Sequence, residues 1–283
     1  MTRDDLLVWL KEENPQILKQ LWHKADRVRA DQVGNAVHLR GLIEISNHCK
    51  RLCTYCGLNA DNRSLKRYRL TEHEILDCAN MATEHGYGTI VMQAGEDKGI
   101  KVAWLTGIIK KIKKEIPLAV TLSLGERDIE ELGAWRDAGA DRYLLRFETS
   151  DRDLYAAIHP ASKENSRHRI EQLHDIQQLG YETGSGILIG IPGQTYASIA
   201  QDLLLLRQMD IDMIGVGPWL PHPATPLGAA DDLNKRTNNC QVPNTELMTL
   251  KVMALARILC PKTNIPATTA LATINADNGH SHG

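Results

Sequence analysis

No stretch of this chain stays apolar for the ~18 residues that a membrane-spanning helix needs. The amino terminus, MTRDDLLVWLKEENPQ, is charged from its third residue. It has neither the basic start nor the apolar core of a secretory signal. An excess of one charge is missing too: 33 Lys and Arg stand against 35 Asp and Glu, a formal net charge of −2. That leaves no electrostatic case for general nucleic-acid binding or for an anionic membrane surface. These absences lead us to expect a cytoplasmic protein. A disulfide framework is not expected either. The six cysteines stand at 49, 53, 56, 78, 240 and 260, and half of them fall within eight residues. In a cytosolic chain such clustering favours metal binding. Cys78 and Cys260 sit in helical patterns as small core residues, and Cys240 lies in a polar loop.

What is present is enough apolar residue for a large core: 42% hydrophobic against 24% charged over 283 residues, a length that suits a single α/β barrel. Residues 1–36 read as two amphipathic helices, an extension ahead of the main fold. Strand-like and helix-like segments then alternate. The strands are expected at 37–46, 89–93, 118–124, 141–148, 181–190, 212–217 and 264–270. The helices are expected at 71–86, near 101–115, near 128–138, near 165–179, and at 195–209 and 244–259. Thr71 with Glu74 forms a capping-box pattern, and Thr195 caps the helix that follows PGQT. Alternation at a period of ~30 residues implies βαβ units and a parallel sheet. The pattern predicts a (β/α)8 barrel over residues 37–274 with seven of its eight strands, lacking the last strand and the elements after it. Residues 275–283 form a polar tail. The long loop 221–243, rich in proline, follows the sixth strand on the face where barrels place chemistry. It reads equally well as a lid or as a surface insertion.

The first strand ends just before SNHCKRLCTYCGL, where Cys49, Cys53 and Cys56 have CxxxCxxC spacing. Three thiolates within eight residues can wrap one soft-metal centre. Zinc would need a fourth ligand or a water. An iron–sulfur cube held by three thiolates keeps one iron open for a small molecule. Arg146 and Glu148 stand two apart on one expected strand, so their side chains share a face. They make either a ligand-binding pair in the barrel mouth or a structural ion pair.

With Tyr55 before its last cysteine, the motif resembles that of the radical S-adenosylmethionine (SAM) superfamily. Ala94-Gly95-Glu96 stands where that superfamily has a Gly-Gly-Glu-like motif for the SAM amino group. The segments IEISNHCKRLCTYCGL, LKRYRLT, VMQAGED, TLSLGE, GADRYLLRFET, GYETGSG, GIPGQT, GVGPWLPHPATPL and NIPATTA resemble, in order and spacing, the [FeFe]-hydrogenase maturase HydE family. Methylornithine synthase and biotin synthase are nearby alternatives. The resemblance implies one [4Fe-4S] cluster on Cys49, Cys53 and Cys56, and SAM as cofactor. It puts Tyr55, Gln93, Gly95, Glu96, Ser123, Glu148 and Arg167 at the SAM site, with Arg167 on its carboxylate. Arg146, Thr121, Thr268 and Thr269 would line the substrate cavity. The implied partners are an organometallic iron–cysteine substrate, a reductant such as ferredoxin or flavodoxin, and the maturases HydG and HydF. A non-catalytic zinc or iron scaffold is the alternative of a different class.

Overall fold

In the computed structural model, residues 1–160, 168–229 and 240–277 are described. Six parallel strands are hydrogen-bonded in sequence order: β1 (Gly41–Ser46), β2 (Thr89–Ala94), β3 (Ala119–Ser123), β4 (Arg142–Leu144), β5 (Glu182–Ile189) and β6 (Met213–Pro218). The helices are α1 (Arg3–Lys11), α2 (Pro15–Gln32), α3 (Glu72–Glu84), α4 (Val102–Glu115), α5 (Ile129–Asp137), α6 (Arg152–Ile158), α7 (Arg169–Gln178), α8 (Tyr196–Gln208), α9 (Glu246–Leu259) and α10 (Thr269–Ile274). Parallel neighbours joined through helices are βαβ units, as the alternation implies. No helix among the described residues is long and apolar enough to cross a membrane.

The chain divides into two compact units, one of Val37–Leu145 and Ala161–Gly184, the other of Met1–Ala36, Arg146–Pro160 and Ser185–Gly283. In the first, the strand period of two sorts the side chains onto two faces. Ile43, Ile45, Ile90, Met92, Val120, Leu122 and Tyr143 are buried. The opposite face carries Leu42, Val91 and Thr121 in one register row, and Glu44, Gln93 and Ser123 in the next. α3 begins with the expected Thr71–Glu74 capping box, both reciprocal hydrogen bonds being present.

In the other unit α1 packs on α8 and α2 on α9. Leu6, Leu10, Leu18 and Leu21 are buried there, so the helices of residues 1–36 are part of a core. Lys251 of α9 is itself buried, and its ammonium donates to the carbonyls of Leu10 (2.7 Å) and Glu12 (3.0 Å), closing the end of α1. Thr195 caps α8, as expected, through a capping box with Ser198.

Three expectations need correction. The seventh strand, 264–270, does not form. Asn264 makes a single parallel bridge to Met213. Pro266 then offers no N–H for a ladder, and Thr268 stands at the N-cap of α10. The fourth strand is shorter than 141–148: it ends at Leu144, and Glu148 takes a left-handed backbone conformation (φ 65°). Helix α6 was not expected; Asp151 starts it by accepting from the N–H groups of Asp153 and Leu154. Of the loop 221–243, residues 230–239 lie outside the described residues, as do 161–167 and 278–283. Its end is pinned by an antiparallel bridge between Gln241 and Thr195.

Candidate active site

β1 delivers the chain at Ser46 into the cysteine loop. Ser46 is buried and its hydroxyl donates to Asp97 Oδ2 (2.6 Å). Asp97 also accepts from Arg69 Nε (2.6 Å), Arg69 Nη2 (2.8 Å) and the Gly99 N–H (2.7 Å). Burial works against ionisation here. The hydrogen bonds from Arg69, Ser46 and Gly99 overcome it and hold the carboxyl down at about 2. The loop then lies against the end of β2: the Lys50 N–H donates to the Glu96 carbonyl (3.1 Å). A Cβ on Gly95 would stand 2.4 Å from the His48 carbonyl oxygen and 2.7 Å from Cys49 Cβ. Only glycine allows this approach.

Cys49 and Cys56 are half-buried and Cys53 is buried. Burial pushes the Cys53 thiol up to about 12; the cations Arg169 and Arg51 pull the other way, and the neighbouring thiols Cys56 and Cys49 add to the rise. A thiol so placed keeps its proton until a metal displaces it. Among the described residues no three His, Cys, Asp or Glu side chains close around a single metal ion. A four-iron cluster spreads its thiolates wider than one ion does. Three thiols in a compact loop, which neither His48 nor any Asp or Glu joins to close on one ion, fit such a cluster rather than a closed zinc site.

Beside the loop sits a buried box of four charges that the motifs did not foretell. Arg169 donates to Glu126 Oε1 (2.9 Å) and to Glu96 Oε1 (3.3 Å). Arg51, between Cys49 and Cys53, lies 3.4 Å from Glu126 Oε2 and 3.9 Å from Glu96 Oε2. All four side chains are nine-tenths or more buried. Burial, then the charge of Glu126, push the Glu96 carboxyl up, and the two arginines oppose the rise. Two cations and two anions leave the box neutral, the condition under which buried charges are tolerated. Glu96, Glu126 and Arg169 of the box line a cavity of about 670 Å³, together with Lys50, Arg127 and Gln172. A cation inside the cysteine motif (Arg51) and the glutamate closing TLSLGE (Glu126) were the available signals. Nothing local links them.

The structure brings Gln93 and Ser123 together as register partners. Thr121 shares their face; it is buried and its hydroxyl has no hydrogen-bond partner among the described residues. The Glu96 carboxylate is turned to the arginines, which leaves its backbone and Gly95 beside the cysteine loop. Tyr55 is half-buried within that loop. Glu44 stands level with Gln93 and was not anticipated. In the other unit Arg146 Nε donates to Glu148 Oε2 (3.1 Å), and Arg146 Nη2 donates to the Ile187 carbonyl (2.7 Å). Thr268 is half-buried against Gly217, whereas Thr269, in the first turn of α10, is exposed. Arg167 lies outside the described residues.

The Radical SAM superfamily pattern matches residues 43–206, more than half of the chain. The chain belongs to the radical SAM superfamily. As a radical SAM enzyme it comes from a family whose chemistry rests on a [4Fe-4S] cluster and SAM. It is 45% identical over 274 residues to the [FeFe] hydrogenase maturase subunit HydE of Thermotoga maritima, covering 96% of this chain and 74% of that protein. It is 29% identical to 3-methylornithine synthase of Methanosarcina acetivorans, covering 97% of this chain and 75% of that one. The crystal structure of methylornithine synthase (PylB) superposes with a TM-score of 0.86 at 28% identity, covering 99% of this chain and 79% of that one.

Proposed function

We propose that this radical SAM enzyme is a HydE-type maturase that acts in assembly of the active site of [FeFe]-hydrogenase. The observation that carries the reading is the 45% identity to HydE along 96% of the chain, against 29% to methylornithine synthase over the same span. In this reading Cys49, Cys53 and Cys56 hold one [4Fe-4S] cluster. Gly95 allows the β2 end to close on the loop, so that backbone groups of residues 94–96 meet the SAM amino group. Gln93 and Ser123 flank the same ligand. Glu148 and Arg167 contact SAM, Arg167 through its carboxylate, which a guanidinium binds in a bidentate way. Arg146, Thr121 and Thr268 face the substrate; Thr269 is exposed and is not assigned to it.

Held by Cys49, Cys53 and Cys56, such a cluster would supply the one-electron reduction that splits the S–C5′ bond of SAM into methionine and a 5′-deoxyadenosyl radical. The residues around it bind, orient and exclude water, which such a reactive species requires. The substrate is an organometallic iron–cysteine precursor supplied by HydG, and the product goes toward the diiron subcluster of [FeFe]-hydrogenase, with HydF as a further partner maturase and a ferredoxin or flavodoxin as reductant. The PylB-like fold keeps a second reading in play, an amino-acid mutase acting on lysine.

The test is anaerobic. The chain is loaded with iron and sulfide, reduced, given SAM, and assayed for 5′-deoxyadenosine. Formation is expected, with loss to background in Cys53→Ala. The loaded chain is then added to a hydrogenase maturation mixture lacking HydE, and separately to lysine. Restored hydrogenase activity supports the maturase reading. Methylornithine formation without restoration replaces it.

A further inference from the structure

We propose that Arg67 is the positioning residue of the cysteine loop. Its guanidinium staples the neck of the loop shut and so holds the three thiols in place for a cluster. The proposal rests on the reading of Cys49, Cys53 and Cys56 as the ligands.

The chain leaves β1 at Ser46 and returns beside it at residues 66–70. The Asn47 N–H donates to the Tyr68 carbonyl (3.4 Å), and the Tyr68 N–H donates to Asn47 Oδ1 (2.8 Å). Asn47 Nδ2 donates to the Lys66 carbonyl (2.9 Å), and the Leu70 N–H to the Ile45 carbonyl (2.8 Å). Between these two arms, residues 48–65 contain no helix or strand. No ladder therefore holds the cysteines.

Arg67 supplies what the ladder does not. Its Nη1 donates to the carbonyl of Asn47, before the cysteines, and to that of Leu58 (3.0 Å), after them. Its Nη2 donates to the carbonyls of Asn59 (2.7 Å) and Asn62 (3.3 Å). Four carbonyl dipoles aimed at one point repel one another unless a cation stands there. A planar guanidinium with five N–H groups can meet acceptors on two sides at once; an ammonium with three cannot keep that geometry. The clamp continues inward. Asn59 Nδ2 donates to the Cys56 carbonyl (2.8 Å), Asn62 Nδ2 to the Gly57 carbonyl (2.7 Å), and the Ala60 N–H to the Arg51 carbonyl (2.8 Å). Through Asn59 and its neighbour Ala60, the guanidinium is tied to the backbone of Cys56 and of Arg51. Arg67 is only half-buried, so its replacement opens no cavity in the core.

The experiment uses the metal-free full chain under native conditions. The alkylation rate of buried Cys53 is followed by mass spectrometry, together with hydrogen exchange of the α4 amides in the same unit. Arg67→Ala is expected to speed Cys53 alkylation roughly tenfold or more while α4 exchange stays unchanged. Arg67→Lys should behave like Arg67→Ala. After anaerobic iron and sulfide loading and gel filtration, both variants should retain less iron than the wild type. Three results would each overturn the proposal: Cys53 in Arg67→Ala as protected as in the wild type, α4 exchange rising in step with Cys53, or Arg67→Lys matching the wild type. Where the wild type does retain iron, equal retention in Arg67→Ala also overturns it. A wild-type chain that retains no iron sinks the cluster reading instead, and the alkylation rates then decide the staple alone.

Discussion

Glu148 takes a left-handed backbone conformation (φ 65°) that a side chain rarely adopts. Its surroundings enforce it. The Glu148 N–H donates to the Gly186 carbonyl (3.0 Å), and its carbonyl accepts from the Leu188 N–H (3.1 Å). Two residues on, Ser150 is latched from below: its N–H (2.6 Å) and its hydroxyl (2.5 Å) both donate to Oδ1 of Asp202 on α8. Asp202 is fully buried, and burial pushes its carboxyl up to about 7 against the pull of the Ser150 hydrogen bonds. The folded chain therefore holds a proton that the unfolded chain releases near pH 4. Between those values the folded state binds more protons, so this residue's contribution to stability is full below about pH 4 and falls as pH rises through about 7. Asn at 202 keeps an Oδ1 to accept both bonds but cannot titrate. The melting temperature of the wild type should thus fall relative to Asp202→Asn between pH 5 and pH 8, by several degrees for a change of roughly 2–4 kcal/mol. A difference that stays constant over that range sinks the assignment.

Helices with their own start signals were the most legible elements. Thr71–Glu74 is a capping box and Thr195 a helix cap in both sequence and structure, because the signal is local; the reciprocal bond from Ser198 is added by the structure. Strands were legible where apolar residues alternated and misread where β-branched residues had a second use. Thr268 and Thr269 suit a strand, yet Pro266 removes a donor and Thr268 starts α10. A glycine inside a strand marks the close approach of a ligand or of another backbone. For Gly186 of β5 packing decides which: an added Cβ would stand 2.2 Å from the Gly215 carbonyl oxygen of β6, an atom of the backbone that cannot swing away. Gly215 itself has room, since its nearest neighbour would be the Ser185 carbonyl oxygen at 3.8 Å. Gly186→Ala should therefore lower stability by about 1–3 kcal/mol or more, read as a reduced urea midpoint, whereas Gly215→Ala should lie near the wild type. Equal effects of the two substitutions would rule out close strand approach as the cause.

At the scale of the whole chain, the cysteine loop could be found from its motif because its three thiols lie within eight residues. The buried box could not, since Arg51, Glu126 and Arg169 meet only after three separate segments fold. The same distinction applies to residues 1–36. Their pattern shows two amphipathic helices but not what their apolar faces meet. Leu6, Leu10, Leu18 and Leu21 are at most 3% exposed, and burying each contributes roughly 1.5–3 kcal/mol. Together that is of the order of the net stability of a whole domain, roughly 5–15 kcal/mol. Removing the segment would also strip the buried Lys251 ammonium, whose pKa burial already lowers, of its carbonyl acceptors at Leu10 and Glu12. A buried cation left without partners is among the costliest changes a core can suffer. A chain starting at Val37 should therefore lose cooperative thermal unfolding by circular dichroism and become largely insoluble. Lys251→Met in the full-length chain removes the charge together with its need for partners, and it should remain folded. A truncated chain that melts cooperatively near the wild-type temperature would show these helices to be an appendage after all.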